Sequence, residues 1–137
     1  MYILLFIIAL FAITIGSFLN VCIYRIPRGE DIVHTNSHCM NCGYKLAWYD
    51  LIPIFSWIFL RGRCRKCGEK ISVQYPLIEL ANGLLWVGLI YKNGFTVTGI
   101  CYAIAVSSLL VLSVIDWRTF EIPVGCNIVI GTAGLVN

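Results

Sequence analysis

Charge is scarce in these 137 residues. Asp, Glu, Lys and Arg together make up 12%, against 59% hydrophobic residues, whereas a soluble domain carries about a quarter charged residues. Met1–Tyr24 and Asn93–Ile115 contain no charged residue at all. The first has neither the basic start nor the small-residue end of a cleavable leader, so it reads as a retained helix. Missing too are a G-x-x-x-x-G-K or G-x-G-x-x-G loop, so no familiar phosphate cradle is present. A net charge of +3 without an Arg-rich, aromatic-studded face excludes a nucleic-acid partner. Carboxylates thin out along the chain: after Asp50 the only aspartate is Asp116.

What is present is patterned for a bilayer. Each uncharged run is long enough to cross about 30 Å of hydrocarbon as a helix. Pro76–Tyr91 is a shorter apolar stretch holding Glu79 and Asn82, and a fourth run opens at Ile122 and is still apolar at Asn137. The expected fold is an all-α polytopic membrane protein with three complete transmembrane helices, a partial fourth and a small loop domain. Its parts are residues 1–24, the first span; 25–75, a cytoplasmic loop; and 76–137, the later helices. Ending inside an apolar run reads as a longer protein cut within a helix. Eight of the ten Lys and Arg lie between Arg25 and Lys70. The positive-inside rule therefore puts that loop in the cytoplasm and the N-terminus outside.

Four of the seven cysteines form a repeated unit, "CMNCGYK" at Cys39–Lys45 and "CRKCGEK" at Cys64–Lys70. Two residues between cysteines let one tight turn aim both sulfurs at one ion, and two such knuckles complete a tetrahedron. Cys39, Cys42, Cys64 and Cys67 thus read as ligands of a structural zinc, with no open coordination position. The glycine after each second cysteine suits a turn with unusual dihedrals. Two disulfides are the competing reading, disfavoured in a reducing compartment; a redox C-x-x-C lacks its βαβ setting. Cys22, Cys101 and Cys126 read as small buried hydrophobes.

Between the knuckles, Leu51–Leu60 is apolar, holds Pro53 and is too short to span. Its aromatics, with Trp48 and Tyr49 before them, suit either the membrane interface or a small core of the loop itself. Asp50 and Glu121 read as ordinary loop acids, and Glu79 as a helix-start acid favoured by the N-terminal dipole. Asp116, where a span meets water, reads either as a solvated anchor paired with Arg118 or the basic loop, or as a functional carboxylate.

Several ordered segments together resemble the type IV prepilin peptidases (the peptidase A24 family). They are "GSFLNVCIYRIP" at Gly16–Pro27, the knuckle region with "WYDLIPIFSWIFLRGRCRKCGEKIS", and "YPLIELANG" at Tyr75–Gly83. The resemblance implies a polytopic enzyme of the bacterial inner membrane. Such enzymes remove leader peptides from type IV prepilins and pseudopilins at the cytoplasmic face. Many then N-methylate the new terminus with S-adenosylmethionine. It also implies that "D-x6-P" at Asp116–Pro123 carries the first of two catalytic aspartates, although Val124 stands where a polar residue is common. The second lies in a G-x-G-D motif that these residues do not contain, so the chain alone is expected not to cleave. The other reading is a non-catalytic, membrane-anchored zinc module docking a pilin or secretion-system partner.

Overall fold

The computed structural model describes residues 1–39, 41–120 and 124–136, the side chain of Cys126 excepted. Glu121, Ile122, Pro123 and Asn137, and with them the end of the D-x6-P segment, lie outside the described residues. So does the reading of Cys126 as a buried hydrophobe.

Among the described residues five α-helices follow one another: α1 (Tyr2–Arg25), a short α2 (Phe55–Phe59), α3 (Gln74–Asn93), α4 (Val97–Thr119) and α5 (Val124–Val136). The uncharged runs become α1 and α4 because continuous aliphatic sequence without an internal proline has no reason to break. Both are long and apolar enough to cross a membrane. α3 has 20 residues, a comparable length, but its polar residues keep it below that apolarity. The apolar part of α5, Asn127–Val136, is shorter. Thr96 caps α4, its hydroxyl accepting from the Gly99 amide at 3.1 Å, which satisfies one orphan donor of the first turn.

α1 and α3 run antiparallel in close contact. A Cβ on Gly16 would lie 2.7 Å from the Glu79 Cα, and one on Gly83 would lie 2.7 Å from Ile13 Cγ1. Small residues that bring backbones together are how helices associate where no hydrophobic drive exists between them. Polar side chains then bind the seam. Asn20 Nδ2 donates to the Tyr75 carbonyl at 3.0 Å and Asn82 Nδ2 to the Ala12 carbonyl at 2.7 Å. α4 joins through Ser107, which accepts from Trp86 Nε1 and donates to Asn82 Oδ1, each at 2.7 Å. Two hydrophobic clusters fill the remainder, one around Leu19, Ile23, Ile78 and Ile115, the other around Ile8, Trp86 and Ile90. Cys22 and Cys101 are buried among these helices, as expected.

At the end of α1 the Arg25 guanidinium donates to the carbonyls of Asp31 and Thr35, both at 2.9 Å. That turns the chain back toward the first knuckle. The C-terminus of α1, the N-terminus of α3 and the C-terminus of α4 meet at this end. There Tyr24 stacks on Tyr75, and Arg118 lies over the Tyr24 ring while donating to Gln74 Oε1.

A four-thiol cluster and a carboxylate at one end of the bundle

The two knuckles fold alike. In the first, the Cys39 amide donates to the Tyr44 carbonyl at 2.9 Å and the Gly43 amide to the Cys39 carbonyl at 2.9 Å. In the second, the Cys64 amide donates to Glu69 at 2.8 Å and the Gly68 amide to Cys64 at 3.1 Å. Single antiparallel bridges, His38 to Lys45 and Arg63 to Lys70, close each turn. Gly43 and Gly68 both take φ +72°, the left-handed conformation expected of them.

This duplication brings Cys39, Cys42, Cys64 and Cys67 together with all four sulfurs within 4.8 Å of one another. The Cys39–Cys67 separation is 3.6 Å and Cys42–Cys64 is 3.9 Å. A tetrahedron with Zn–S bonds of about 2.3 Å has edges of roughly 3.8 Å, so the donor set fits such an ion. A disulfide needs sulfurs about 2.05 Å apart, and neither of these pairs meets that. The two thiols of the first knuckle differ in acidity. The amides of Cys42 and Asn41 hold Cys39 below its usual value. At Cys42 the Tyr44 amide acts downward, but burial and the neighbouring thiols push it up to about 11. Thiolates crowded this closely need a cation between them to ionise together.

Asp50 is a correction to the sequence reading. It is buried rather than an ordinary loop acid, and it accepts from Arg65 Nε at 2.8 Å, the Tyr44 hydroxyl at 3.1 Å and the Ala47 amide at 3.3 Å. Tyr44 belongs to the first knuckle and Arg65 to the second, so one carboxylate joins the halves. Burial raises its pKa, but these donors outweigh that and hold it below the ordinary value. Burial, then Asp50 itself, pushes the Tyr44 phenol up to about 12. The available signal was a lone acid next to apolar sequence, which when buried must be partnered; its partners were not readable.

The aromatics between the knuckles divide. Trp57 turns inward, donating from Nε1 to the Ile71 carbonyl at 3.3 Å with its ring against Gly62. Trp48, Phe55, Ile58 and Phe59 are exposed.

Glu79 is a second correction. α3 begins at Gln74 and has no acid in its first turn, so the helix-start role does not apply. Glu79 is buried, and its Oε2 accepts from the Ile54 amide at 2.7 Å. The structure does not bring it together with Asp116.

Asp116 lies in the last turn of α4, exposed. The pairing expected with Arg118 or the basic loop does not form: Arg118 is taken by Gln74 and Tyr24. Among the described residues the Asp116 carboxylate has no hydrogen-bond or ion-pair partner. It shares its end of the bundle with the start of the cysteine loop.

A site for the expected methyl donor would have to hold a charged amino-acid end. A cavity of about 360 Å³ between α4 and α5 is lined by Val97, Ile100, Cys101, Ile104, Val129 and Thr132, with Ala133 and Val136. That surface has nothing to hold a charged amino-acid end.

Comparison with known proteins adds a family. Residues 10–93 match the model described as the bacterial peptidase A24 N-terminal domain. A prepilin leader peptidase/N-methyltransferase of Myxococcus xanthus is 44% identical over 114 residues, covering 83% of this chain and 34% of the relative. Proteins of the same name from Vibrio cholerae and Klebsiella pneumoniae are 34% and 40% identical. They cover 89% and 88% of this chain, and 51% and 56% of their own lengths. The chain thus spans about a third to a half of the curated relatives it matches. No solved structure matches it.

Proposed function

The chain belongs to the family of bacterial peptidase A24 N-terminal domains, and from that premise we propose that it is the amino-terminal part of a membrane aspartic endopeptidase acting on leader peptides of type IV prepilins and pseudopilins. The observation that carries the reading is the meeting of Asp116, the basic end of α1 and the cysteine loop at one end of the bundle. A prepilin leader is cut where a basic cytoplasmic segment meets an apolar helix, and that junction is chemically the same as this end. In this reading residues 1–24 form the first span, 25–75 the cytoplasmic loop and 76–137 the later helices, in a bacterial inner membrane. α1, α3 and α4 are the three spans and α5 part of a fourth, with the N-terminus outside. The exposed apolar face of α1, with Ile3, Phe6, Ile7, Leu10 and Phe11, supports a lipid setting.

Asp116 supplies one of two carboxylates, and a G-x-G-D segment absent from these residues supplies the other. Two carboxylates at close range share one proton because both cannot ionise. The ionised member takes a proton from water as it attacks the scissile carbonyl, while the protonated one polarises that carbonyl. Zinc held by Cys39, Cys42, Cys64 and Cys67 is structural, since four thiolates fill its coordination sphere. The relatives' names add N-methylation, for which S-adenosylmethionine is the expected donor.

The test joins residues 1–137 in membranes to a separate chain carrying the G-x-G-D half of a relative, with a prepilin as substrate. Leader removal that vanishes with Asp116→Asn supports the reading, and removal that survives it refutes Asp116 as the carboxylate. A metallated, assembled complex that binds prepilin without cutting it favours the docking-module reading, for which the exposed apolar residues of the loop speak.

A further inference from the structure

Glu79 is a carboxylate set well inside α3, and its one close partner from the loop is a backbone amide. Its depth follows from the register of the helix pair. Asn20 faces Tyr75, Gly16 faces Glu79 and Ala12 faces Asn82. Gly16 precedes Arg25 by nine residues, roughly 13 Å of helix at about 1.5 Å per residue. Side chains of α3 lean toward its N-terminus, the loop end. The Ile54 amide, 2.7 Å from Glu79 Oε2, therefore lies alongside the last turns of α1 and not beyond them.

Non-helical backbone at that depth needs its polar groups satisfied inside the protein. Ile54 has φ +63° and precedes the first turn of α2, so its amide lacks a helical acceptor; Glu79 provides one. Outward from this anchor, Phe55 is 69% exposed, Ile58 59% and Phe59 80%, an apolar surface with no cover from the described residues. Trp48 and Tyr49 precede it, and exposed Arg61, Arg63 and Lys66 follow. Apolar residues with interfacial aromatics and a basic rim match a leaflet carrying anionic headgroups.

We propose that the segment from Leu51 to Phe59 is seated in the leaflet on the cysteine-loop side, with Phe55, Ile58 and Phe59 among the acyl chains and Glu79 holding the turn at that depth. The seat rests on the reading of α1 as a membrane span. It anchors the cysteine loop laterally against its own helices, fixing where the two knuckles stand relative to the surface.

The experiment uses the full chain in nanodiscs of phosphatidylcholine and phosphatidylglycerol, with its seven phenylalanines fluorinated for NMR. The Phe59 and Phe11 signals are assigned by their loss in Phe→Leu variants. Nitroxide-bearing lipid is compared with an aqueous gadolinium chelate. The proposal expects Phe59, like Phe11 in α1, to be broadened by the lipid probe and spared by the chelate. Phe59 broadened by the chelate alone, with Phe11 still reached by lipid, overturns the seat and leaves the span intact. Both signals reached only by the chelate would overturn the span as well. Glu79→Ala should move Phe59 to the aqueous probe while Phe11 stays with lipid; no change there refutes Glu79 as the anchor.

Discussion

Three helical glycines give an ordered prediction of stability. At Gly16 an added Cβ lies 2.7 Å from the Glu79 Cα and 3.4 Å from its amide nitrogen. Those are backbone atoms, so only separation of α1 from α3 relieves the overlap. Such overpacking costs about 1–3 kcal/mol. Stretching Asn20–Tyr75 or Asn82–Ala12 adds about 0.6 kcal/mol for each interhelical hydrogen bond weakened. At Gly83 the obstacle is Ile13 Cγ1, at the stem of a β-branched side chain stiff at χ1 in a helix, so the cost is real but below that of the backbone overlap at Gly16. At Gly88 nothing lies within 4 Å, and alanine there should stabilise by about 0.5–1 kcal/mol through lower unfolded-state entropy. The expected order is Gly88→Ala, wild type, Gly83→Ala, Gly16→Ala, with the extremes about 1.5–4 kcal/mol apart. Thermal or denaturant unfolding in one detergent, followed by Trp emission, measures it. A Gly16→Ala protein as stable as Gly88→Ala would refute the close packing of α1 on α3.

Purified chain should hold about one zinc, and Cys→Ser at any of Cys39, Cys42, Cys64 or Cys67 should abolish retention after dialysis. Structural zinc contributes on the order of 10–16 kcal/mol to folding small sites, so chelation should unfold the loop while helical circular dichroism persists. Asp50 has a folded pKa below its ordinary 3.8, so its stabilisation is complete above that value and is lost as pH falls through the depressed one. At saturating zinc, wild type minus Asp50→Asn stability should be flat at neutral pH and shrink only below about pH 4; a difference that grows on acidification refutes the clamp. Ser107→Ala removes the link between Trp86 and Asn82 and should cost about 1 kcal/mol, two bonds at about 0.6 each. A double-mutant cycle with Asn82→Ala should show coupling, and strict additivity would count against the network.

Which parts of this architecture were readable follows from the range of the forces involved. α1 and α4 were legible because an unbroken aliphatic run is a local property, and the knuckles because ligand spacing is local and repeated. The apolar run at Pro76–Tyr91 was seen, but the helix extends over Gln74–Asn93; its first residues are polar and hold other elements, Gln74 through Arg118 and Tyr75 through Asn20. Asp50 and Glu79 were misread for one reason. Each is held by groups distant in sequence, Arg65 and Ile54, and a lone acid looks the same in a sequence whether it faces water or a buried donor. The Asp116–Arg118 pairing failed because a guanidinium two residues away on a helix points to a different side.

The turn between these two residues fixes a direction as well. Successive residues on a helix are turned by about 100°, so Asp116 projects roughly 200° around the α4 axis from Arg118. Arg118, exposed itself, reaches across to Tyr24 of α1 and Gln74 of α3, and Ile115 near it is buried. The buried face of α4, Ala103, Ser107, Val111 and Ile115, sets the azimuth of Asp116, turning its carboxylate toward the flank of α4 that α1 and α3 leave open. Any group that is to share a proton with Asp116 must arrive from that flank.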